Sequence, residues 1–258
     1  MRCIKPFVRE GPGGEREAFP CGQCVVCKIN KSREWTMRMT AESNYWPHSA
    51  FLTLTYADDE KISLDKRDLQ LFFKRLRKNG LQFRYYGCGE YGGTLRRPHY
   101  HVCLFYKGTL DFTKDLSFGT NNGHLRFWDH GIVNLGTFTK ESARYVSDYL
   151  LKGVDQDIPS FLAPPFRVMS KGIGMAYFLD NHVKLERYGF FQGGTRIAPP
   201  RFFREAMSAK FKADGLATQF KEETRLIKLG RFKGTYANPQ LEANILAKQF
   251  IRRGALYE

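Results

Sequence analysis

The stretch RRPHYHVCLFY, residues 96–106, combines a run of strand-forming residues with two histidines on either side of one tyrosine. Side chains at i and i+2 of a strand point to the same face, so His99 and His101 are expected to project together, away from Tyr100. Two imidazoles at that separation can bind one divalent metal ion if a neighbouring strand supplies a third ligand. The stretch therefore predicts a strand that carries part of a metal site, although ordinary hydrogen bonding on a half-exposed sheet face is also typical of such a pair.

Glu90 is the candidate for the third ligand. It ends the preceding predicted strand, LQFRYYGCGE (residues 81–90), and the glycines at 92 and 93 predict a tight turn that returns the chain beside His99. Imidazole and carboxylate ligands together suit Mg²⁺ or Mn²⁺, although zinc would also bind because of the Irving–Williams order. The sequence thus indicates a mixed-ligand metal site formed by two adjacent strands.

A predicted helix, TKESARYVSDYLLKG (residues 139–153), presents a second polar group. Tyr145, Tyr149 and Lys152 stand at i, i+4 and i+7, which places them within about 60° on one helix face. A lysine is almost never buried without a partner, so this face is expected to look into a polar space. A phenol, with a pKa of about 10, is a poor nucleophile unless a metal or another cation assists it. Tyrosines at this spacing are also typical of ordinary core packing.

The order of elements predicts an α+β fold with a central antiparallel sheet of about five strands and helices on one face. Ser63 or Asp65 is expected to cap the amphipathic helix of the core, and Thr139 the helix that carries the tyrosines. The other elements predicted from periodicity and turn residues are a helix over 28–45, a buried strand over 50–56, an amphipathic helix over 63–80, and a hairpin turning near 129–131.

Three regions are predicted along the chain, with a soft boundary at the prolines of residues 159–165. They are a Cys-rich N-terminal segment with its helix (1–47), an α+β core (48–158), and a basic, aromatic C-terminal extension (159–258). The last part of this extension, from residue 201 onward, is expected to be mainly helical.

The charge of the chain indicates a polyanionic partner. Its 258 residues include 41 Lys and Arg against 26 Asp and Glu, a formal charge of +15. Such an excess favours nucleic acid, because cations near phosphates release condensed counterions, although a membrane surface would also attract it. No apolar run approaches the roughly 20 residues of a spanning helix, and the N-terminus lacks the apolar centre of a signal peptide. We therefore expect a protein of the reducing cytoplasm, without a membrane partner.

Cys21, Cys24 and Cys27 form a C-x₂-C-x₂-C run. In a reducing compartment this spacing is more typical of a metal site than of disulfides, and three thiolates hold one Zn²⁺ when a fourth ligand joins. An iron–sulfur cluster is the competing cofactor, because similar cysteine runs bind [4Fe–4S] centres. Structural zinc is favoured, because the phosphodiester chemistry considered below needs no electron transfer.

The ordered set FLTLTY (51–56), GEYG with RPHYH (89–101), and YVSDYLLK (145–152) resembles the three-motif signature of rolling-circle replication initiators. These are the histidine-hydrophobic-histidine (HUH) endonucleases, which have a ferredoxin-like core. PCGQCVVC (20–27) and SKGIG (170–174) resemble a narrower family, the replication initiators of gokushoviruses, which are bacteriophages of the Microviridae. The start, MRCIKP, resembles that family too, which implies Cys3 as the fourth zinc ligand, with His48 as the alternative.

The resemblance implies a role for each candidate residue. Glu90, His99 and His101 would hold the catalytic Mg²⁺ or Mn²⁺, Tyr145 and Tyr149 would be alternating nucleophiles, and Lys152 would steady the phosphate or phenolate. Asp148 departs from the family pattern, which often has lysine there, although helix geometry puts it off the nucleophile face. Phosphate contacts are expected from Arg96 and Arg97 beside the metal strand, and from a second cationic group that is also typical of a solvated helix face: Lys74, Arg75, Arg77 and Lys78.

The expected function is that of a DNA nickase and strand transferase acting on single-stranded origin DNA in the cytoplasm of an infected bacterial host. A 5′-phosphotyrosine intermediate would form, and a helicase and polymerase of the host would be its partners. No G-x-x-x-x-G-K-[ST] nucleotide-binding loop is present in the sequence. Two alternatives remain open from sequence: a non-enzymatic zinc-containing DNA-binding regulator, and a metal nuclease that uses activated water.

Overall fold

A computed structural model describes most of the chain. The chain divides into two compact units, Met1–Gly174 and Met175–Glu258. The boundaries predicted at 47 and 158 stay a prediction. The described residues are 3–11, 13–14, 16–57, 61–93, 95–108, 116–117, 122–125, 127–152, 158–181, 190–192, 195–197, 202–203 and 205–206.

The first unit contains three described helices and nine described strands. The helices are α1 (Val25–Ser43), α2 (Lys66–Lys78) and α3 (Lys140–Lys152). The strands are β1 (Phe7–Glu10), β2 (Arg16–Phe19), β3 (His48–Thr55), β4 (Gln82–Tyr91), β5 (Pro98–Lys107), β6 (Leu116–Ser117), β7 (Asn122–Leu125), β8 (Val133–Thr137) and β9 (Phe166–Met169).

Seven of these strands form one antiparallel sheet in the order β6-β7-β8-β3-β5-β4-β9. The sheet confirms the predicted α+β class. Its centre is the run β8-β3-β5-β4-β9, with the short β6 and β7 added at one edge. The strand that carries the two histidines, β5, lies between β3 and β4, so that neighbours on both sides can contribute to a site on its surface.

Helices cover both faces of this sheet, so the prediction of helices on one face is wrong. On one side, Phe72 and Leu76 of α2 pack in a core cluster with Val102 and Leu104 of β5. On the other side, the cluster contains residues of α1 and α3 together with Cys103 and Phe105 of β5. The run HVCLFY is apolar at consecutive positions rather than alternate ones, which is the pattern of a strand that is buried on both faces.

The predicted caps determine where α2 and α3 begin. The side chain of Asp65 accepts a hydrogen bond of 2.8 Å from the Arg67 backbone N–H, one of the orphan donors of the first turn of α2. Thr139 Oγ1 accepts a hydrogen bond of 3.1 Å from the Ser142 N–H at the start of α3. Gly80, with φ of 85°, follows the end of α2 in a conformation that suits glycine.

The second unit is described over short segments only. Helix α4 (Met175–Asp180) places Phe178 against Phe202 and Phe203, with ring centroids 5.5 and 5.4 Å apart. Strands β10 (Phe190–Gln192) and β11 (Thr195–Ile197) form an antiparallel pair. The predicted helical character of residues 201–258 falls outside the described residues, apart from 202–203 and 205–206. None of the helices in the described part of the chain has the length and apolar character needed to cross a membrane.

Candidate metal centre and tyrosine pair

The structure brings Glu90, His99 and His101 together at one end of the sheet. Glu90 on β4 lies directly opposite His99 on β5, and His101 follows two residues further along the same face. One carboxylate oxygen, Oε1 of Glu90, is 2.8 Å from His99 Nε2 and 3.0 Å from His101 Nε2. The three potential ligand atoms all lie within 4.8 Å of one another. Their role as metal ligands stays a prediction, but their geometry agrees with it.

The outer nitrogens of both imidazoles are held by neighbours, which fixes the direction of the inner ones. His99 Nδ1 lies 3.0 Å from the carbonyl oxygen of Arg97, which can only accept, so Nδ1 carries the proton. His101 Nδ1 lies 3.0 Å from Thr53 Oγ1 on β3. Both Nε2 atoms then face the Glu90 carboxylate, and such an arrangement needs a proton or a cation between nitrogen and oxygen. The donor set therefore fits a divalent ion with oriented imidazole ligands.

Burial and hydrogen bonding act against each other on the ionisation of this group. Burial raises the pKa of Glu90, but hydrogen bonds from His101 and His99 outweigh it, and the net pKa is lowered. Burial lowers the pKa of His99, but the hydrogen bond to Glu90 and the Arg97 carbonyl outweigh it, and the net pKa is raised above 6.5. Glu90 is only 4 % exposed, so its carboxylate depends on these neighbours for charge compensation.

Helix α3 places both tyrosines beside His101. The Tyr145 ring meets the His101 ring edge-on with centroids 5.2 Å apart, and the Tyr149 ring stacks on it at 5.8 Å. Tyr145 is 43 % exposed, whereas Tyr149 is half-buried against the core cluster of α1 and α3. Burial, followed by the hydrogen bond with Tyr145, raises the pKa of Tyr149. One phenol is thus open to solvent and the other is kept neutral behind it.

The predicted phosphate-binding residues do not all lie near this centre. Arg96, in a left-handed conformation with φ of 49°, and Arg97 are exposed in the turn that leads into β5. Arg97 donates to the Tyr56 carbonyl at 3.1 Å, and a cavity of about 410 Å³ is lined by residues 55–57, 97–99 and 131–132. Lys152 is the last residue of α3, and its side chain lies outside the described part of the structure.

The cationic residues of α2 lie across the sheet from the histidines. Arg75 forms an ion pair with Asp129, and the Arg77 guanidinium lies 4.6 Å above the centre of the Phe83 ring. Lys74 and Lys78 are exposed on the same helix. The structure does not bring these four side chains to the candidate metal centre, and their predicted contact with DNA stays a prediction.

The four N-terminal cysteines converge on one point. Cys3 Sγ is 3.5 Å from Cys21 Sγ and 3.8 Å from Cys24 Sγ, and Cys21 Sγ is 3.9 Å from Cys27 Sγ. Backbone N–H groups lower the pKa of Cys24 to about 6, whereas burial raises the pKa of Cys27 to about 12. Four thiols at mutual tetrahedral distances fit a metal ion that prefers sulfur ligands.

His48, the alternative fourth ligand of that cluster, lies elsewhere. It begins β3, and its ring centroid is 5.2 Å from that of Tyr106. Cys3 therefore completes the group of sulfur atoms in the described part of the chain.

Sequence reasoning missed several residues that support the site. Thr53 orients His101, and Phe51 stacks on the His101 ring with centroids 5.4 Å apart. Both lie on β3, on the face that the β3–β5 register shares with His101. The alternation of FLTLT contained the signal, but using it required knowing that β3 is the neighbour of β5. Asp148, off the tyrosine face, accepts a hydrogen bond from Ser32 of α1.

Comparisons with known proteins agree on one family. Residues 49–154 match the family model for the replication-associated protein ORF2. The chain is 30% identical over 235 residues to Replication-associated protein ORF2 of Spiroplasma virus 4, covering 80% of this chain and 73% of that protein. It is 37% identical over 216 residues to Replication-associated protein VP4 of Bdellovibrio phage phiMH2K, covering 73% of this chain and 67% of that protein. No solved structure matches the chain.

Proposed function

This chain belongs to the family of phage replication-associated proteins typified by ORF2, and we propose that it is an HUH endonuclease that nicks single-stranded DNA at a phage origin. By nicking and rejoining the strand it starts and ends rolling-circle replication. The observation that supports this most is the placement of two phenols, Tyr145 and Tyr149, against an imidazole of the Glu90, His99 and His101 group. Few other functions need these side chains at one point.

The cleavage step uses a tyrosine as the nucleophile. The hydroxyl oxygen of Tyr145 attacks the phosphorus, the bond from phosphorus to the 3′ oxygen breaks, and a 5′-phosphotyrosine and a free 3′-hydroxyl result. The phenol loses its proton, and the departing 3′ oxygen gains one. Tyr145 acts first in this scheme because it is exposed, while the raised pKa of Tyr149 keeps that phenol neutral until a second cleavage requires it.

Glu90, His99 and His101 would hold a Mg²⁺ or Mn²⁺ ion. When bound, this ion supplies positive charge against the scissile phosphate and favours ionisation of the neighbouring phenol. Thr53 and the Arg97 carbonyl keep the imidazoles aimed, so that little reorganisation accompanies the reaction. Zn²⁺ is the ion that we assign to the four cysteines, where it has a structural role.

Strand joining follows from the same two tyrosines. The phosphotyrosine bond conserves the energy of the phosphodiester, so that a 3′-hydroxyl released by the second tyrosine can attack it and close a circle without ATP. Lys152, Arg96 and Arg97 would neutralise phosphate charge near the reacting strand. The free 3′-hydroxyl is the primer for a polymerase of the host, with a host helicase separating strands, and the site of action is the cytoplasm of the infected bacterium.

A denaturing gel tests this function. The protein is incubated with single-stranded oligonucleotides that tile the genome of its phage, with Mn²⁺, and covalent adducts are sought. We expect an adduct that Tyr145→Phe reduces and that the double change Tyr145→Phe with Tyr149→Phe abolishes. Tyr45→Phe, which alters an exposed tyrosine just after α1 and outside the site, is the matched control and should leave adduct formation unchanged.

The other outcomes of the same gel identify different functions. Cleavage without an adduct indicates attack by activated water. Binding without cleavage of any oligonucleotide indicates a DNA-binding regulator in which the cysteine cluster only maintains the fold. Either result overturns the proposed tyrosine chemistry.

A further inference from the structure

The helix that carries the tyrosines is joined to α1 by small polar side chains. Ser32 Oγ donates to Asp148 Oδ1 at 2.5 Å, and Thr36 Oγ1 lies 3.4 Å from Ser147 Oγ. Ser32, Thr36 and Ser147 are each no more than 2 % exposed, so these contacts are buried in the helix–helix interface. Buried polar pairs of this kind are directional, and they fix the rotation and axial position of one helix against the other.

These contacts lie between the two tyrosines. Ser147 and Asp148 occupy the positions after Val146 and immediately before Tyr149, one turn beyond Tyr145. The opposite side of α3 packs on the sheet through Ala143 and Val146, which are apolar contacts with little directional preference. The axial register of both phenols relative to His101 therefore depends on α1.

The position of α1 depends in turn on the cysteine cluster. Cys24 is the N-cap of α1, and Cys27 lies in its first turn. The cap makes no side-chain hydrogen bond, and the first turn contains no acidic residue, so α1 lacks the usual devices that stabilise a helix N-terminus. Instead, the Cys24 N–H donates to Cys21 Sγ at 3.4 Å and the Cys21 N–H donates to Cys3 Sγ at 3.3 Å.

The distance from the cluster to the interface is short. Ser32 follows Cys27 by five residues, about 7.5 Å along a helix axis. A tetrathiolate bound to Zn²⁺ carries a net negative charge, which favours its place at the positive end of the α1 dipole. Without the ion, four thiols at these separations have no bond that holds Cys3 to α1.

We propose that Cys3, Cys21, Cys24 and Cys27 bind one Zn²⁺ whose function is to position the nucleophiles, by fixing α1 and, through Ser32 and Asp148, helix α3. The ion takes no part in the bond changes at phosphorus. Ser32 and Asp148 are accordingly positioning residues. This inference rests on the proposed role of Tyr145 and Tyr149 for its effect on turnover, but its structural part can be measured without any cleavage.

The first experiment examines the metal and the helix directly. Metal-free full-length protein is titrated with Co²⁺, for which we expect one site with thiolate-to-metal charge-transfer bands and tetrahedral visible bands, lost in Cys24→Ser with Cys27→Ser. Hydrogen exchange is then compared with and without stoichiometric Zn²⁺. Zn²⁺ is expected to slow exchange in α1 and α3 and to leave α2 unchanged, because α2 lies across the sheet. Equal exchange in α3 in both states overturns the proposal.

The second experiment uses variants at the interface, which leave the metal ligands intact. Asp148→Ala removes the acceptor for Ser32, whereas Asp148→Asn retains an acceptor oxygen; Lys31→Ala, beside Ser32 but exposed, is the matched control. We expect Asp148→Ala to lower kcat about 10- to 100-fold with little change in KM for the oligonucleotide, because misplacement by about 1 Å is enough for such a loss. Asp148→Asn should recover most of it, and Lys31→Ala should match the wild type.

The outcomes separate the two hypotheses. An unmodified protein that never cleaves overturns the proposed function, while the Co²⁺ spectrum and the exchange of α3 still decide the role of the cysteines. A protein that cleaves equally well with and without Zn²⁺, or in which Asp148→Ala and Asp148→Asn have the same kcat, overturns the positioning role.

Discussion

On the α2 side of the central sheet, Tyr56, Tyr100 and Asp68 form a group that resembles the one on the α3 side in its residue types. The Tyr56 hydroxyl lies 2.6 Å from an Asp68 carboxylate oxygen and 2.6 Å from the Tyr100 hydroxyl. Lys61 Nζ is 2.6 Å from the same carboxylate, and the Asp65 N–H donates to the Tyr100 hydroxyl at 2.8 Å. Every one of these polar atoms has a partner inside the chain, and the group is buried.

The group on the α3 side differs in what its atoms face. The Nε2 atoms of His99 and His101 and the Glu90 carboxylate converge on one another, and the neighbouring Tyr145 ring is partly open to solvent. Burial raises the pKa of a tyrosine on both sides, Tyr56 on one and Tyr149 on the other, so a raised pKa does not distinguish them. Convergent metal ligands and access to solvent do, and they separate a candidate reactive site from a stabilising network.

Replacing one imidazole on each side tests this distinction most strongly. His101→Ala is expected to abolish high-affinity Mn²⁺ binding and to lower nicking by on the order of 10²–10³-fold, because it removes a ligand from the charge-stabilising site. His130→Ala, which removes an imidazole beside Asp68 on the α2 side, should lower the free energy of unfolding but leave the Mn²⁺ affinity unchanged. Calorimetric titration with Mn²⁺ measures both, and equal affinities for the two variants would falsify the assignment.

Thr53→Val tests the support of the metal site. It removes the hydroxyl that orients His101 while keeping the volume of the side chain. We expect Mn²⁺ affinity to fall about 10- to 100-fold, as is usual when the hydrogen-bonding partner of a ligand is lost. Thr40→Val, which removes a hydroxyl that bonds to the Thr36 carbonyl in α1, is the control. An unchanged affinity in Thr53→Val would show that packing alone aims the imidazole.

The pH dependence of Mn²⁺ binding is the next prediction. Because the folded-state pKa of His99 is raised, its protonated form stabilises the metal-free fold below the unfolded-state pKa, and this contribution is lost as pH rises through the folded pKa. A metal ion must displace that proton. Mn²⁺ affinity should therefore fall about tenfold per pH unit as pH is lowered through the folded pKa, while the stability of the metal-free protein gains the His99 contribution. Titration calorimetry between about pH 5 and pH 8 checks the slope.

The smallest effect on the site is expected from Tyr100→Phe. It removes a hydroxyl buried on the α2 side, so the free energy of unfolding should fall by about 1–3 kcal/mol as its partners lose their hydrogen bonds. Mn²⁺ affinity and kcat should stay within about twofold, because Tyr100 points to the opposite face from its neighbours His99 and His101. Urea denaturation of the metal-free protein and the nicking assay measure the two quantities. A large loss of kcat at unchanged stability would connect the two faces.

The geometry of the metal ligands followed from sequence because it depends on local rules. The alternation of a strand places His99 and His101 on one face, and a glycine-rich turn returns Glu90 beside them. The caps Asp65 and Thr139 were predicted on the same basis, since a cap acts on residues two or three positions away. Helix α1 begins at Val25, three residues before the predicted start, because the cysteine run that was read as a loop continues into the helix.

The remaining features depend on which elements are neighbours, which local patterns do not contain. The coverage of both faces follows from the packing of α2 against Leu104 and of α3 against Cys103, two consecutive residues of β5. The role of Thr53 requires the β3–β5 register. The contact of Asp148 with Ser32, 116 residues away in the chain, could not be predicted from a departure in the tyrosine motif alone.

All three candidate ligands lie within residues 90–101, on one hairpin formed by β4 and β5. A loop this short costs little entropy to close, so the hairpin can form before distant parts of the chain have met. A cation captured at that stage would lock the pairing of the two longest strands, since a slip by one residue would turn both imidazoles to the other side. The phenols come from a segment more than forty positions later, so the growing fold would acquire its electrostatic centre before its nucleophiles.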